Sequence, residues 1–373
     1  MKLSILCLTL IATFAFASRM LSSVKIDGKM TAYALEEAGG NDKFQRVELD
    51  IPTPGDRDVL VRNYASATNP VDSFMRSTFG AAMGVTPPGK YLTIGYDAAG
   101  IVQSVGAKVR NFKKGDHVYF AGDVTRNGTF AEYTVVDERI VGRKPESLSW
   151  EESAAMPLVT ATAMEALYES LAITEDKVLN RNKTLLIING AGGVGSIAIQ
   201  IAKKLLGLTV IATASREETA TYCKKLGADF IINHRKNLQE QLEALPLKSK
   251  TVEYIFAAHD PTEYFNTFPN LLSPLGKVVS IMAPSKPLDI APFMSKRLSF
   301  IFELMFTRSR LGVEPEKQGA LLNKASKMFD QKVFVSTVSN VYTFDLTGLR
   351  EAMELQDSRS GTGKNVLCWP KTH

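Results

Sequence analysis

The sequence predicts an α/β protein, with a β-rich leading region and a parallel sheet covered by helices on both faces. Three observations predict it. Short alternating runs such as Val59-Leu-Val-Arg-Asn-Tyr64 and His117-Val-Tyr-Phe120 fill the stretch from about 30 to 150. They are broken by turns such as Pro52-Thr-Pro-Gly55, Pro87-Pro-Gly89 and Lys114-Gly-Asp116, a rhythm that suits a small barrel or sandwich. From residue 184 onward, strand and helix patterns alternate. The first of those strands runs into a cluster of glycines and then a helix.

The elements follow in order. Glu151 to Ser170, rich in Ala, Met and Leu, has helical spacing. Strands are expected at 184–189, 209–213, 229–232, 252–257 and 276–281, with helices such as Glu217–Leu226 and Tyr264–Leu272 between them. The apolar run Leu298-Ser-Phe-Ile-Phe-Glu-Leu-Met-Phe306 reads as a helix or an edge strand. A helix at 316–330, a strand near 333–344, a helix at 346–356 and a last strand at Asn365–Cys368 complete the reading. There are no repeats and no low-complexity segment.

The run Thr184-Leu-Leu-Ile-Ile-Asn-Gly-Ala-Gly-Gly-Val-Gly195 carries the most chemistry. A β-branched strand, glycines 190, 192 and 195, and then a helix pattern make the order a dinucleotide site requires. Gly190 is expected to let the chain turn off the strand and Gly192 to keep side chains away from a pyrophosphate. Gly195 is expected to let the helix pack close. Gly193 and Val194 open the helix, where free N–H groups favour phosphate. The alternative is a glycine-rich turn in an unrelated αβ unit.

Composition narrows the class. The 373 residues are 45% hydrophobic and 22% charged, and 44 basic against 39 acidic residues leave a formal charge of +5. The charges are interspersed, so nothing points to nucleic acid. Cys7, Cys223 and Cys368 make no Cys-x-x-Cys pair, so neither a zinc knuckle nor a redox motif is written here.

The start of the chain, Lys2 followed by apolar Leu3–Phe16 and Ala15-Phe-Ala17, fits a signal peptide over 1–17. The apolar core is shorter than the ~20 residues a membrane span needs, so no stable span is expected. Residues 18–29 then form an extension. An uncleaved anchor, a mitochondrial presequence, or initiation at Met20 or Met30 are the alternatives. The signal points to the ER lumen or secretion, although Trp369-Pro-Lys-Thr-His373 is no retention signal. A cytoplasmic or mitochondrial location is the alternative.

Several motifs occur together and in order: Asn69-Pro-Val-Asp72, Gly95-Tyr-Asp-Ala-Ala-Gly100, Val105-Gly106 and Lys114-Gly-Asp-His-Val-Tyr119. Ala154-Ala-Met-Pro157, Gly190–Gly195, Leu226-Gly-Ala-Asp229 and Gly363-Lys-Asn-Val366 follow. On these the chain, from Met30 to Val366, resembles the medium-chain dehydrogenase/reductases, in their zinc-free quinone oxidoreductase branch. The resemblance implies a GroES-like β-rich catalytic domain over 30–157 and a central Rossmann domain with a doubly wound parallel sheet over 158–306. A return segment over 307–373 then rejoins the catalytic domain.

Zinc-dependent relatives place a Cys early in the barrel, a His in Gly-His-Glu, and a later Cys. Here the matching regions are Asn69–Asp72, Gly95-Tyr96-Asp97 and Pro157-Leu-Val-Thr160, with neither Cys nor His. A zinc site needs three or four placed ligands, so no metal is expected. Without one to polarise an alcohol, hydride donation to an electron-poor acceptor is the expected chemistry. The acceptor would be a quinone or an α,β-unsaturated, electrophilic carbonyl.

The cofactor is expected to be NADP(H). An NAD enzyme of this fold ends its second strand with an acid. Here Val210-Ile-Ala-Thr-Ala214 leads to Ser215-Arg216, a hydroxyl and a guanidinium that would attract a 2′-phosphate. Arg216 could instead be a solvated helix-start residue paired with Glu217 or Glu218. His234 follows the third strand and either lies near the adenosine or is an ordinary surface histidine.

The resemblance further places Thr160 near the nicotinamide and offers it backbone groups at Met282. It also closes Phe306, Thr307 and Arg308 over the cofactor, unless Phe306 is simply core. Asn69, Asp72 and Tyr96 are the catalytic candidates. Asn69 could donate through its amide, Asp72 could orient backbone or Arg76, and Tyr96 either faces substrate or packs. Many quinone oxidoreductases have a tyrosine where this chain has Phe74. His117 and His259 read as structural or peripheral. A homodimer joined through the 298–306 edge is expected. The rival readings are a nucleotide-binding interaction protein with little turnover and an alcohol dehydrogenase-like oxidoreductase.

Overall fold

The computed structural model describes residues 26–86 and 89–370; the expected signal peptide lies outside them. The alternating β-branched runs pair as their patterns require. Strands β1 (Lys29–Ala34) and β2 (Gln45–Asp50) form an antiparallel ribbon. A second sheet joins β3 (Asp58–Ala67), β4 (Ala98–Val105), β5 (His117–Phe120), β6 (Tyr133–Asp137) and β7 (Val141–Arg143). Two late strands, β14 (Val338–Thr343) and β15 (Lys364–Cys368), complete it in the order β14-β15-β3-β4-β5-β7, with β6 also on β3. The chain therefore leaves this sheet and returns to it.

Between departure and return lies a six-stranded parallel sheet. Its strands are β8 (Thr184–Ile188), β9 (Thr209–Thr213), β10 (Phe230–Ile232), β11 (Val252–Ala257), β12 (Leu272–Ser280) and β13 (Ser299–Phe302). Their spatial order is β10-β9-β8-β11-β12-β13. The order reverses at β8, and ligands of such sheets bind beyond the carboxyl ends of the strands at that reversal.

The two faces of β8 show why this strand forms. All five residues are buried. Leu185 and Ile187 join one apolar cluster, while Leu186 and Ile188 join another with Ile211, Ile255, Phe265 and Phe293, as a period of two dictates. The first cluster continues through Val159 and Met156 to Tyr96, Leu92 and Leu35. A continuous core thus ties the parallel sheet to the β-rich sheet.

Three elements differ from expectation. The helix over 151–170 is split into Trp150–Ala154 and Pro157–Met164, because Pro157 cannot continue the first helix. The second piece runs on as a wide-turned stretch, Glu165–Ser170. The segment 264–272 is a series of short turns holding Pro269, not one helix. The apolar run 298–306 resolves into edge strand β13 and the start of the helix Phe306–Leu311.

Candidate active site

The glycine turn follows β8 directly. The helix Gly193–Gln200 starts there with Gly192 as its N-cap and no acid in its first turn. Its opening N–H groups lack intrahelical partners, as at any helix start. The turn itself is made by Asn189, whose φ is 62°; the expectation that Gly190 makes it is corrected. Gly190 is needed for space instead, since a Cβ there would stand 2.7 Å from the Ala212 Cβ and 3.2 Å from the Cys223 Sγ. A Cβ on Gly195 would lie 2.4 Å from the Asn189 carbonyl oxygen, so the helix reaches its strand only as glycine. The nearest atoms to a Cβ on Gly192 belong to Asn189, at 2.8 Å, and Gly192 itself is half-buried.

The end of β9 supplies polar groups. The Thr213 Oγ1 accepts from the Asn189 N–H at 2.9 Å and lies 3.2 Å from the His234 Nδ1. Burial lowers the His234 pKa, with Arg235 and His259 adding to the shift, so its imidazole is neutral near pH 7. A hollow of about 540 Å³ opens beside it, lined by Arg235, Lys236, Glu263 and Tyr264 among others. Arg216 is exposed, and its Nη2 donates to the Ser360 carbonyl at 2.8 Å. The returning segment therefore steadies the guanidinium beside Ser215. Ala214 stands where an acid would repel phosphate.

The β-rich side contributes a buried polar knot. Asn69 N-caps the helix Pro70–Thr78, and the Asp72 carboxylate accepts from its backbone N–H at 2.6 Å, a local capping arrangement. The Asn69 amide donates to the Ala67 and Tyr96 carbonyls and to the Asp97 Oδ2. Its donors are thus held inside the protein, which corrects the reading of Asn69 as a hydrogen-bond donor to substrate. Lys364, 3% exposed, forms an ion pair with the fully buried Asp97 at 3.0 Å.

The buried atoms of this region without a hydrogen-bond partner among the described residues include Asp72 Oδ1, Tyr96 Oη and Thr160 Oγ1. Burial pushes the Asp72 carboxyl up to about 8. Burial, followed by the charges of Asp72 and Asp123, raises the Tyr96 hydroxyl well above its usual value. Both groups hold their protons at neutral pH. Tyr96 packs edge-on against Phe306, ring centroids 5.6 Å apart, and Phe306 is itself core.

Other candidates fall elsewhere. Arg76 bonds Gly39, Asn41 and Asp357, so Asp72 does not orient it. Arg308 forms ion pairs with Glu165, Glu169 and Glu314. Its guanidinium cross-links the segments around the site and is not offered to a phosphate, a correction to the cofactor set. Thr307 is exposed, and its N–H donates to the Leu304 carbonyl. The Met282 carbonyl accepts from the Ser280 hydroxyl at 2.9 Å, so part of its backbone is already engaged. His117 packs tilted against Trp150, ring centroids 4.9 Å apart. Phe74 is 47% exposed. Sequence reasoning gave no role to Lys364 or Asp97, although both sit inside quoted motifs; charged residues beside glycines were the available signal.

The residues fit a dinucleotide. The glycine turn opens a helix whose first N–H groups lack intrahelical partners, Thr160 brings a buried, unpartnered hydroxyl, and Arg216 follows the end of β9. Among the described residues no three of His, Cys, Asp and Glu gather as a metal site. No described helix is long and apolar enough to cross a membrane.

Comparison with known proteins agrees with this geometry. Residues 55–146 match the alcohol dehydrogenase GroES-like domain and residues 193–320 the zinc-binding dehydrogenase domain. A zinc-type alcohol dehydrogenase-like protein of Staphylococcus aureus is 37% identical over 347 residues, 92% of this chain and 99% of that protein. The chloroplastic NADPH-dependent alkenal/one oxidoreductase of Arabidopsis thaliana is 34% identical over 247 residues, 63% of this chain and 60% of that one. The quinone oxidoreductase structure of Coxiella burnetii superposes with a TM-score of 0.74 at 26% identity, covering 91% of this chain and 99% of that one.

Proposed function

The chain belongs to the medium-chain dehydrogenase/reductase superfamily and is an oxidoreductase of that type, and from this premise we propose that it is an NADPH-dependent reductase of quinones or α,β-unsaturated carbonyls that works without a metal. The observation that carries the reading is the Asn69–Tyr96–Asp97 knot. By the resemblance, Tyr96 stands where metal-dependent relatives place their histidine ligand, and the neighbouring Asp97 is held by Asn69 and Lys364. The relatives active on alkenals and quinones support the same direction.

The glycine turn would hold the pyrophosphate, Ser215 and Arg216 the 2′-phosphate, and Thr160 the nicotinamide amide. When bound, NADPH supplies a hydride at its nicotinamide C4. The protein's task is then to orient the acceptor and meet the charge that grows on its oxygen. Tyr96, whose hydroxyl is protonated and unpartnered, donates a hydrogen bond to that oxygen. Asp72, in the Asn69–Asp72 motif, keeps a second proton.

NADPH oxidation measured against a panel of quinones and enones tests the reading. Turnover with at least one such acceptor, insensitive to chelators, is expected; turnover that needs added zinc overturns it. A second reading, nucleotide binding with little turnover, is favoured by Phe74 and by the internally spent Asn69 amide. It predicts tight NADPH binding and no consumption with any acceptor. A homodimer through β13, an edge strand carrying exposed Phe302, is part of the proposal. Light scattering on the wild type and on Phe302→Ser checks it.

A further inference from the structure

We propose that Lys364 is the positioning residue that fixes the cofactor half of the site against the acceptor half; the inference rests on the reductase reading above. Its ammonium has three protons, and each is used. The Nζ donates to the Thr68 carbonyl at 2.7 Å, to the Asn69 Oδ1, and to the Asp97 Oδ2 at 3.0 Å. No donor remains to touch a ligand, so Lys364 acts through its neighbours.

Those neighbours reach both halves. On the acceptor side, Asn69 caps the helix that carries Asp72, and its amide grips the Tyr96 carbonyl. On the cofactor side, the Asp97 Oδ1 accepts from the Leu158 N–H at 2.7 Å. Leu158 lies in the first turn of the helix Pro157–Met164, where a carboxylate satisfies an otherwise orphan donor and favours the helix dipole. Two residues further on, that helix presents Thr160.

The lysine stem also sets the glycine turn. A Cβ on Gly193 would stand 3.0 Å from the Lys364 Cδ and 3.1 Å from the Val159 Cγ1. The first helical residue behind the turn is therefore wedged between the stem and the Thr160 helix. Beside it, the Gly363 N–H donates to the Ala191 carbonyl at 2.9 Å, and Gly363 bridges to Gly192. One side chain thus references the turn, the Thr160 helix and the Asn69–Asp72 motif to each other. Hydride transfer depends on that separation, because a misplacement of about 1 Å can cost roughly 10²-fold in rate.

The test uses the full chain carrying Lys364→Met and, separately, Asp97→Asn with Lys364→Met. The double variant leaves no charge unpaired, so it reports on geometry even if the single variant does not fold. The expected result is a fall in kcat of about 10²-fold, with the KM and fluorescence-measured affinity for NADPH nearly unchanged. In the NADPH-free protein, amide exchange is expected to quicken over 156–164 and 189–196 and to stay unchanged over β11 and β12.

An unaltered kcat, or exchange that quickens evenly across the chain, overturns the proposal and leaves Lys364 as ordinary structural glue. If the wild type turns over no acceptor, the reductase reading fails. The exchange pattern then decides the positioning claim by itself.

Discussion

The glycine turn and the polar knot beneath it are made of different materials. Strand, turn and helix lie within residues 184–206, and the geometry rests on backbone atoms and on missing Cβ groups. The knot draws on Thr68, Asn69, Tyr96, Asp97, Leu158 and Lys364, and its longest link joins residues 296 positions apart. The local half is built of neighbours in sequence, with Thr213 and Gly363 adding hydrogen bonds from outside it. The distant half exists only once the whole fold has closed, and it buries charge to do so. The first should feel distant changes only through the Gly363–Lys364 contact and the neighbouring strand, and the second should report on them directly.

The largest effect expected from this contrast is on stability. Lys364→Met removes the cation paired with Asp97 in a fully buried site, and breaking a buried pair costs about 3–5 kcal/mol in unfolding free energy. Adding Asp97→Asn removes the stranded charge and should recover a large part of that loss. Urea unfolding of the two variants measures both. An equal loss in each would show that packing, not the ion pair, holds the distant half together.

The next effect is on pH dependence. Asp72 has its carboxyl pushed up to about 8 by burial, against about 3.9 in an unfolded chain. A carboxyl with a raised folded pKa binds its proton more tightly when folded. Its contribution to stability is therefore complete below about pH 4 and is lost as pH rises towards 8. The slope from one such group is at most about 1.4 kcal/mol per pH unit. Asp72→Asn should flatten the fall in melting temperature across that window; an unchanged profile would mean that Asp72 is ionised in the fold.

Arg216→Ala should weaken NADPH binding by about 1–3 kcal/mol, the worth of a lost charge-assisted hydrogen bond, and leave NADH binding nearly unchanged. Titration of both nucleotides checks it. The Arg216 guanidinium is exposed and donates to the Ser360 carbonyl, while its bonds with Thr219 and Ala220 run through its backbone, so its truncation should not disturb the fold. Equal losses for both nucleotides would remove the 2′-phosphate assignment and bring the local half closer to an NAD site.

The same contrast explains what the sequence could reveal. The parallel sheet was legible because β8, β9 and β11 are apolar runs of strand length separated by helix patterns. The glycine turn was legible because all its parts are adjacent. What failed was long-range or conformational. That Asn189, not Gly190, takes the left-handed backbone cannot be seen in a glycine spacing. That the Asn69 amide is spent on the Tyr96 carbonyl and Asp97, or that Arg308 meets three glutamates, depends on segments far apart in the chain. Pro157 did announce the break in the helix over 151–170, but the helical spacing on both sides concealed it.

The smallest effect concerns Phe74, which sits one turn of helix beyond Asn69 and is 47% exposed. The Ser77 and Thr78 hydroxyls both bond its carbonyl, so the helix there is secured by contacts that ignore the side chain. Phe74→Tyr adds one hydroxyl at a surface position, and stability should stay within about 0.5 kcal/mol of wild type. Its effect on turnover separates the two functional readings. If Tyr96 and Asp72 already supply the protons, the variant changes kcat with quinones and enones only slightly. If the chain binds nucleotide with little turnover because a tyrosine is missing at 74, the variant should gain NADPH consumption that the wild type lacks. Such a gain would locate the deficit in one exposed residue of the distant half, with the local half intact.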